Sequence, residues 1–194
     1  MSRKKGLSFY KKHRKTNIDT IKEVFNYILG IVLAAGLAFF LVSNWGIKTS
    51  IIGLSMENTL YNGQTVLISK LAYLVKKPKV GDLIVFKPNG NQNTHYYVKR
   101  VVACPGDTVE FKDGRLYVNG IIEDDKYDKT ADPGIAESPI VMGIDEYFVL
   151  GDNRNNSEDS RSGNIGPVKM DIIEGRAWFK FTANDSYFGF IGRD

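Results

Sequence analysis

The sequence predicts a mainly β domain carried on a single N-terminal membrane helix. Three observations lead there. An uncharged apolar run of 24 residues lies near the N-terminus. Seven short runs rich in Val, Ile, Phe and Tyr follow it, each bounded by Gly, Pro, Asn or Asp, as strands are. Helix-period stretches are scarce after residue 60. The 194 residues suffice for one domain with a real core and a few appendages.

Residues 1–23 form a basic tail, with eight Lys and Arg against Asp19 and Glu23. The tail carries +6 while the whole chain carries +4, so the remainder is mildly acidic at −2. That balance argues against a nucleic-acid surface on the main domain. Residues 24–47 read VFNYILGIVLAAGLAFFLVSNWGI, and roughly 20 such residues cross a bilayer. Tyr27 and Trp45 sit near the two ends, where amphipathic rings favour the interface. The cations before the run predict a cytoplasmic N-terminus and an outer domain over 48–194. The run is long for a cleaved leader, and no A-x-A-like site follows at the right distance. The short stretch from Trp45 to Ser55 reaches at most ~35 Å, which tethers Ser55 near the membrane surface.

The predicted strands are 65–70, 81–87, 95–103, 107–112, 115–120, 146–152 and 176–181. Asp113-Gly114 is a strong hairpin signal. LAYLVKK (71–77) is too short to count as a helix. Residues 121–145, with clustered acids, Pro133-Gly134 and Pro139, read as a variable insertion. Ile51-Ile52 and the tract WFKF…YFGFI (178–191) break clean alternation, and read either as core or as an apolar face against the bilayer. The lone Cys104 excludes an intrachain disulfide and reads as a small buried hydrophobe.

Ser55, in GLSMENTL, could be a turn residue, a helix cap or a nucleophile. A serine hydroxyl attacks only when a base takes its proton. His13 is in the tail, and His95 follows an Asn-rich loop as a solvated strand-start residue. GLSME also lacks the second Gly of a G-x-S-x-G elbow. Lys99 lies within YYVKRVVA, where alternation groups it with Tyr97 and Val101, opposite Val98, Arg100 and Val102. One face must be core. If it holds Lys99, desolvation lowers the ammonium pKa and leaves an amine able to act as general base. Otherwise Lys99 is a strand lysine that snorkels to water. GDNRNNSEDSR (151–161) reads as a polar loop in which Asp159 and Arg161 pair and Ser157 can hydrogen-bond a neighbour. Calcium-loop spacing fails, with Glu158 where Gly is required, so no metal is expected.

Taken in order, the anchor, G-x-S-M-x-x-T-L, GD-L-I-V-F, Y-V-K-R-V-V-x-x-P-G-D and GDNRxxSxDSR resemble the bacterial type I signal peptidases, in their Gram-positive single-anchor form. The resemblance runs to about residue 181. It implies a coiled β-sheet serine endopeptidase with a Ser/Lys dyad that removes signal peptides after an A-x-A-like site. It makes Ser55 the nucleophile, Lys99 the base, Ser157 the group that orients the lysine, and Asp159–Arg161 the supporting ion pair. The Ser55 N–H would serve the oxyanion hole. Some members place a second donor, a serine hydroxyl, where this chain has Gly53. Ile51, Ile52, Met56, Leu60, Tyr97 and Val98 match positions lining shallow pockets for small side chains.

The implied partners are exported preproteins and membrane lipid, with no nucleic acid and no cofactor, and a monomer is expected. The family's usual Pro is Asn58 here, which fits a specialised member. A non-catalytic relative assisting the assembly of pilin or other surface proteins is the alternative, against which Ser55 and Lys99 both weigh. A self-cleaving Ser/Lys regulator is disfavoured by the anchor.

Overall fold

The computed structural model describes residues 18–88, 95–123, 127–182 and 188–193. The basic tail as far as residue 17 and the Asn-rich loop before His95 lie outside the described residues. The chain divides into two units, Met1–Asn44 and Trp45–Asp194.

The first unit is the helix α1 (Ile18–Trp45). Its segment Thr20–Phe40 is long and apolar enough to cross a membrane. Side chains such as Phe25, Ile31, Leu37 and Phe39 are exposed all round, as suits a helix surrounded by lipid. The helix starts earlier than the expected 24–47 and stops before its end. Gly46 is a poor helix residue, and Ile47 and Thr49 after it are β-branched, so the chain turns there into strand.

The second unit holds all seven predicted strands, within a curled antiparallel sheet and a smaller one. The larger sheet runs in the order β1 (Gly46–Ser50), β2 (Thr65–Ser69), β11 (Ile173–Phe181), β3 (Leu83–Phe86), β4 (Tyr97–Ala103), β9 (Glu146–Leu150), β10 (Val168–Lys169). Strand β12 (Phe188–Phe190) pairs with β11. Register shifts in β4 and twice in β11 bend the sheet. LAYLVKK contributes only the short turn α2 (Ala72–Val75).

The smaller sheet runs β7 (Ile121–Ile122), β6 (Arg115–Val118), β5 (Thr108–Lys112), β8 (Ile140–Val141). The β5–β6 hairpin turns through Asp113 and Gly114, both at positive φ, as the Asp-Gly signal predicts. The expected loop over 121–145 is therefore partly sheet. Its outer strands are only two residues long, too short for alternation to reveal.

Three buried clusters form the core. Ile51, Met56, Leu60, Val66, Ile68 and Val98 belong to one. Phe111, Leu116, Met142 and Phe148 belong to the second, between the hairpin and β9. Ile84, Phe86, Val101, Tyr147 and Val149 belong to the third. Cys104 is half-buried beside the third, and burial pushes its thiol pKa up, which keeps it protonated and inert. The aromatic tract divides: Ile191 joins the core, while Phe188 and Phe190 stay exposed and pack on Phe179.

Candidate active site

Strand β4 is central, with Tyr97–Arg100 paired to β3 on one side and Arg100–Ala103 paired to β9 on the other. Both of its charged side chains are buried: Lys99 and Arg100 are each 4% exposed. Alternation alone predicts one inward and one outward charge. The outward place does not exist, because both faces of β4 are covered, and each charge has found its own partner.

Lys99 points at Ser55, with Nζ donating to Oγ at 2.7 Å. Ser55 rides on the loop 51–64 between β1 and β2. That loop is closed by Ile51 N–H to Gln64 O and Gly63 N–H to Ile51 O. Inside it, Glu57 N–H to Leu54 O, Thr59 N–H to Met56 O and Leu60 N–H to Met56 O make tight turns. Met56 and Leu60 sink into the core and hold the loop down. Gly53 takes φ +96 and gives its N–H to Asn62 Oδ1. Asn58 takes φ +74, a left-handed conformation that Asn tolerates and proline cannot adopt. The departure from the family's proline is thus a change of turn geometry.

Burial pushes the Lys99 ammonium down to about 8, against the weaker opposing attraction of Asp159 and Glu158. Near neutrality an appreciable fraction of the side chain is therefore a free amine, able to accept the Ser55 proton.

The loop 151–161 grips the nucleophile segment from the far side. Asn153 donates its backbone N–H to Ser55 O at 3.0 Å and its Nδ2 to Leu54 O at 3.2 Å. Gly151 gives its N–H to Asp159 Oδ2. A methyl on Gly151 would lie 2.2 Å from Ser157 Oγ and 2.4 Å from Ser55 O, so only glycine permits this approach. Asp159 and Arg161 form a buried two-pronged pair at 2.8 and 2.9 Å. Arg161 also donates to Arg154 O and Asp132 O. Asn155 clasps Lys129 O and Ala131 N–H, so the insertion braces this loop.

Ser157, expected to bond Lys99, is half-buried with its Oγ turned in at Gly151, free of any hydrogen-bond partner among the described residues.

Ser55 and Lys99 open into a cavity of about 330 Å³ lined by Ile51, Ile52, Met56, Tyr97 and Val98 among others. Leu60 does not reach it; it is fully buried behind Met56. His95 is exposed on the cavity wall and makes no hydrogen bond to Ser55.

Sequence reasoning missed three features. Arg100 and Asp152 make a second buried ion pair, with Thr59 Oγ1 donating to Asp152. Glu158 lines the cavity and accepts from Tyr97 Oη at 3.0 Å. Gly151 is a contact point for both Ser55 and Ser157. The signal for the first was present, since Thr59, Arg100 and Asp152 each stand inside one of the quoted motifs.

A serine hydroxyl held against a buried, easily deprotonated amine in an open cleft defines a serine hydrolase assisted by lysine. The chain belongs to the signal peptidase family, peptidase S26, whose sequence profile matches residues 24–182. It is 36% identical over 172 residues to signal peptidase I P of Bacillus subtilis subsp. natto, covering 84% of this chain and 88% of that one. It is 34% identical over 181 residues to signal peptidase IB of Staphylococcus aureus (strain COL), covering 82% and 90%. To the probable signal peptidase I-2 of Synechocystis it is 35% identical over 158 residues, covering 79% and 69%.

Proposed function

We propose that this protein is a membrane-bound serine endopeptidase that removes N-terminal signal peptides from exported preproteins, with Ser55 as nucleophile and Lys99 as general base. The observation that carries the reading is the 2.7 Å contact between Ser55 Oγ and the buried Lys99 Nζ. The retention and contact of both groups weigh against the non-catalytic alternative.

Neutral Lys99 takes the Oγ proton as Oγ attacks the carbonyl after a small residue. The oxyanion of the tetrahedral intermediate is met by the Ser55 N–H. Lys99 then passes its proton to the departing amine of the mature protein, leaving the signal peptide as an ester on Ser55. Water, deprotonated by Lys99, hydrolyses that ester, frees the signal peptide's carboxylate and restores the hydroxyl. Ser157, whose hydroxyl is unbonded in the resting site, would rotate to accept from the lysine as Lys99 gains its proton. Asp159 and Arg161 hold the loop that carries Ser157 and Asn153. Ile51, Ile52, Met56, Tyr97 and Val98 shape the subsites, with Leu60 supporting Met56 from behind.

The domain plan is a basic tail over 1–23, an anchor drawn from α1, and the catalytic domain after it. The excess of cations before the anchor supports an N-terminus in the cytoplasm and a catalytic domain outside the cell membrane. The enzyme acts as a monomer with its exposed aromatics toward lipid.

The test is cleavage of a preprotein bearing an A-x-A site by the detergent-solubilised full-length protein, beside Lys99→Ala. Cleavage after the small residue, lost in the variant, is expected. Intact substrate after incubation with the folded wild type would reject the reading.

A further inference from the structure

The cavity beside Ser55 mixes apolar wall residues (Ile51, Ile52, Met56, Val98) with polar ones, and among its lining residues Glu158 is the one carboxylate. The acid stands between Ser157 and Asp159 in the loop that grips the nucleophile. Unlike Asp159, which turns inward to Arg161, Glu158 is exposed toward the cavity. Its position is defined: Glu158 Oε2 accepts from Tyr97 Oη at 3.0 Å, which bridges the loop to β4 across the cleft. The Tyr97 ring lies 5.5 Å from Lys99 Nζ, so the carboxylate is one side chain away from the reacting amine.

The charge state of the cleft during reaction follows from the chemistry. Lys99 attacks the Ser55 proton only as a neutral amine. In that state Glu158 contributes an uncompensated negative charge at the cleft, and the partners of the other nearby charges are fixed: Asp159 with Arg161, and Asp152 with Arg100. A substrate chain lying along the apolar wall must bring its flanking side chains past this carboxylate.

We propose that Glu158 is a specificity-determining residue, selecting, among preproteins with a suitable small-residue site, those carrying Lys or Arg within two positions of the scissile bond over those carrying Asp or Glu. The inference rests on the proposed peptidase activity and adds a charge rule to it. A carboxylate and a substrate charge about 6 Å apart at a wet protein surface differ enough in attraction and repulsion to separate Lys from Glu by about fivefold or more in kcat/KM at low salt. Screening shortens that reach, so the ratio shrinks as salt is raised toward 0.5 M.

The experiment uses detergent-solubilised full-length protein and one A-x-A preprotein. Lys, Gln or Glu is placed singly at the residue before the P1 site and at each of the two residues after the cleaved bond. The wild type should rank Lys over Gln over Glu at one or more of these positions. Glu158→Gln should compress the Lys-to-Glu ratio toward one, and Glu158→Lys should invert it. Tyr97→Phe, which keeps the carboxylate, should preserve the order. Ratios within one variant are unaffected by a general loss of activity. A wild type that cleaves all three alike, or an unchanged ratio in Glu158→Gln and Glu158→Lys, overturns the inference while leaving the peptidase reading intact. No cleavage of the Gln substrate by folded wild type overturns the peptidase reading, and this inference with it.

Discussion

Arg100 and Asp152 form a buried two-pronged ion pair, each arm 2.8 Å long, one residue along β4 from Lys99. Leu150 pairs with Arg100 in the sheet, so the chain leaving β9 delivers Asp152 directly beside the guanidinium. Arg100 also donates to Gly81 O and to Thr59 Oγ1, which ties the nucleophile loop to the same pair. Removing one partner leaves a buried charge uncompensated, at a cost of about 3–5 kcal/mol. Asp152→Ala should therefore lower the denaturation midpoint of the purified protein sharply. A midpoint equal to the wild type would mean that the pair does not hold the loops together.

The titration of Lys99 makes a prediction with two readouts. Because the ammonium is depressed to about 8 by burial, kcat/KM should rise with pH through that value rather than near an imidazole pKa. Stability should move the same way. Between about 8 and the unfolded value of 10.5, the unfolded chain holds a proton that the folded chain has lost, so stability rises with pH across that window. Below 8 the buried ammonium costs about 3 kcal/mol, and Lys99→Met should remove this cost while abolishing activity. Equal stability of Lys99→Met and wild type at pH 7, with a rate profile centred near 6.5 and lost in His95→Ala, would sink the assignment.

Gly151 offers a steric test. The methyl of Gly151→Ala would overlap both Ser157 Oγ and Ser55 O, and the Ser55 backbone on one side and Ser157 Cβ on the other leave it little room. The nucleophile loop must then retreat from the 151–161 loop, and displacement of about 1 Å costs roughly 100-fold in rate. The expected outcome is a large fall in kcat with the substrate still bound. Full activity in this variant would show that the two loops need not touch.

These relationships explain which parts of the protein could be read from its residues. The seven longer strands were legible because alternation and turn residues survive without tertiary context. The two-residue strands β7 and β8 were not, since no period fits in two residues. At the site, the motifs identified Ser55 and Lys99, but periodicity treated Arg100 as the outward alternative to Lys99. That logic assumes a sheet with one wet face. Here the loop after β9 and the nucleophile loop meet the second face at Arg100, where Thr59 contacts the guanidinium and Asp152 neutralises it. The family resemblance puts Leu60 on the substrate wall, yet the tight turns at 56–60 carry it inward. Glu158 stood inside a quoted motif and had no signal, because its role depends on Tyr97, brought near only by the fold.

Asn58 can be tested by the two residues that bracket its conformation. At φ +74, glycine is free of strain and proline, locked near −65°, cannot follow. Asn58→Gly should fold and cleave like the wild type. Asn58→Pro should lose more than about 1 kcal/mol of stability and lower kcat by disturbing the turns that aim Ser55. A stabilised and more active Asn58→Pro would mean that this loop readily takes the family's proline geometry.

Ser157 provides the sharpest separation of structure from catalysis. Its Oγ is buried and makes no hydrogen bond among the described residues. Deleting that oxygen orphans no partner, so Ser157→Ala should leave stability unchanged or slightly raised. The same hydroxyl lies at Gly151, against the segment that positions Ser55. As the Lys99 amine gains a proton, it gains a donor that needs an acceptor, and a rotated Ser157 hydroxyl would supply one. Activity should then fall about 10–100-fold in Ser157→Ala, with an undiminished denaturation midpoint and a small change in KM. Ser157→Thr, which keeps the hydroxyl, should recover part of the loss. If Ser157→Ala cleaves at the wild-type rate, the serine is a packing residue, and the lysine is oriented by its burial and by Ser55 alone.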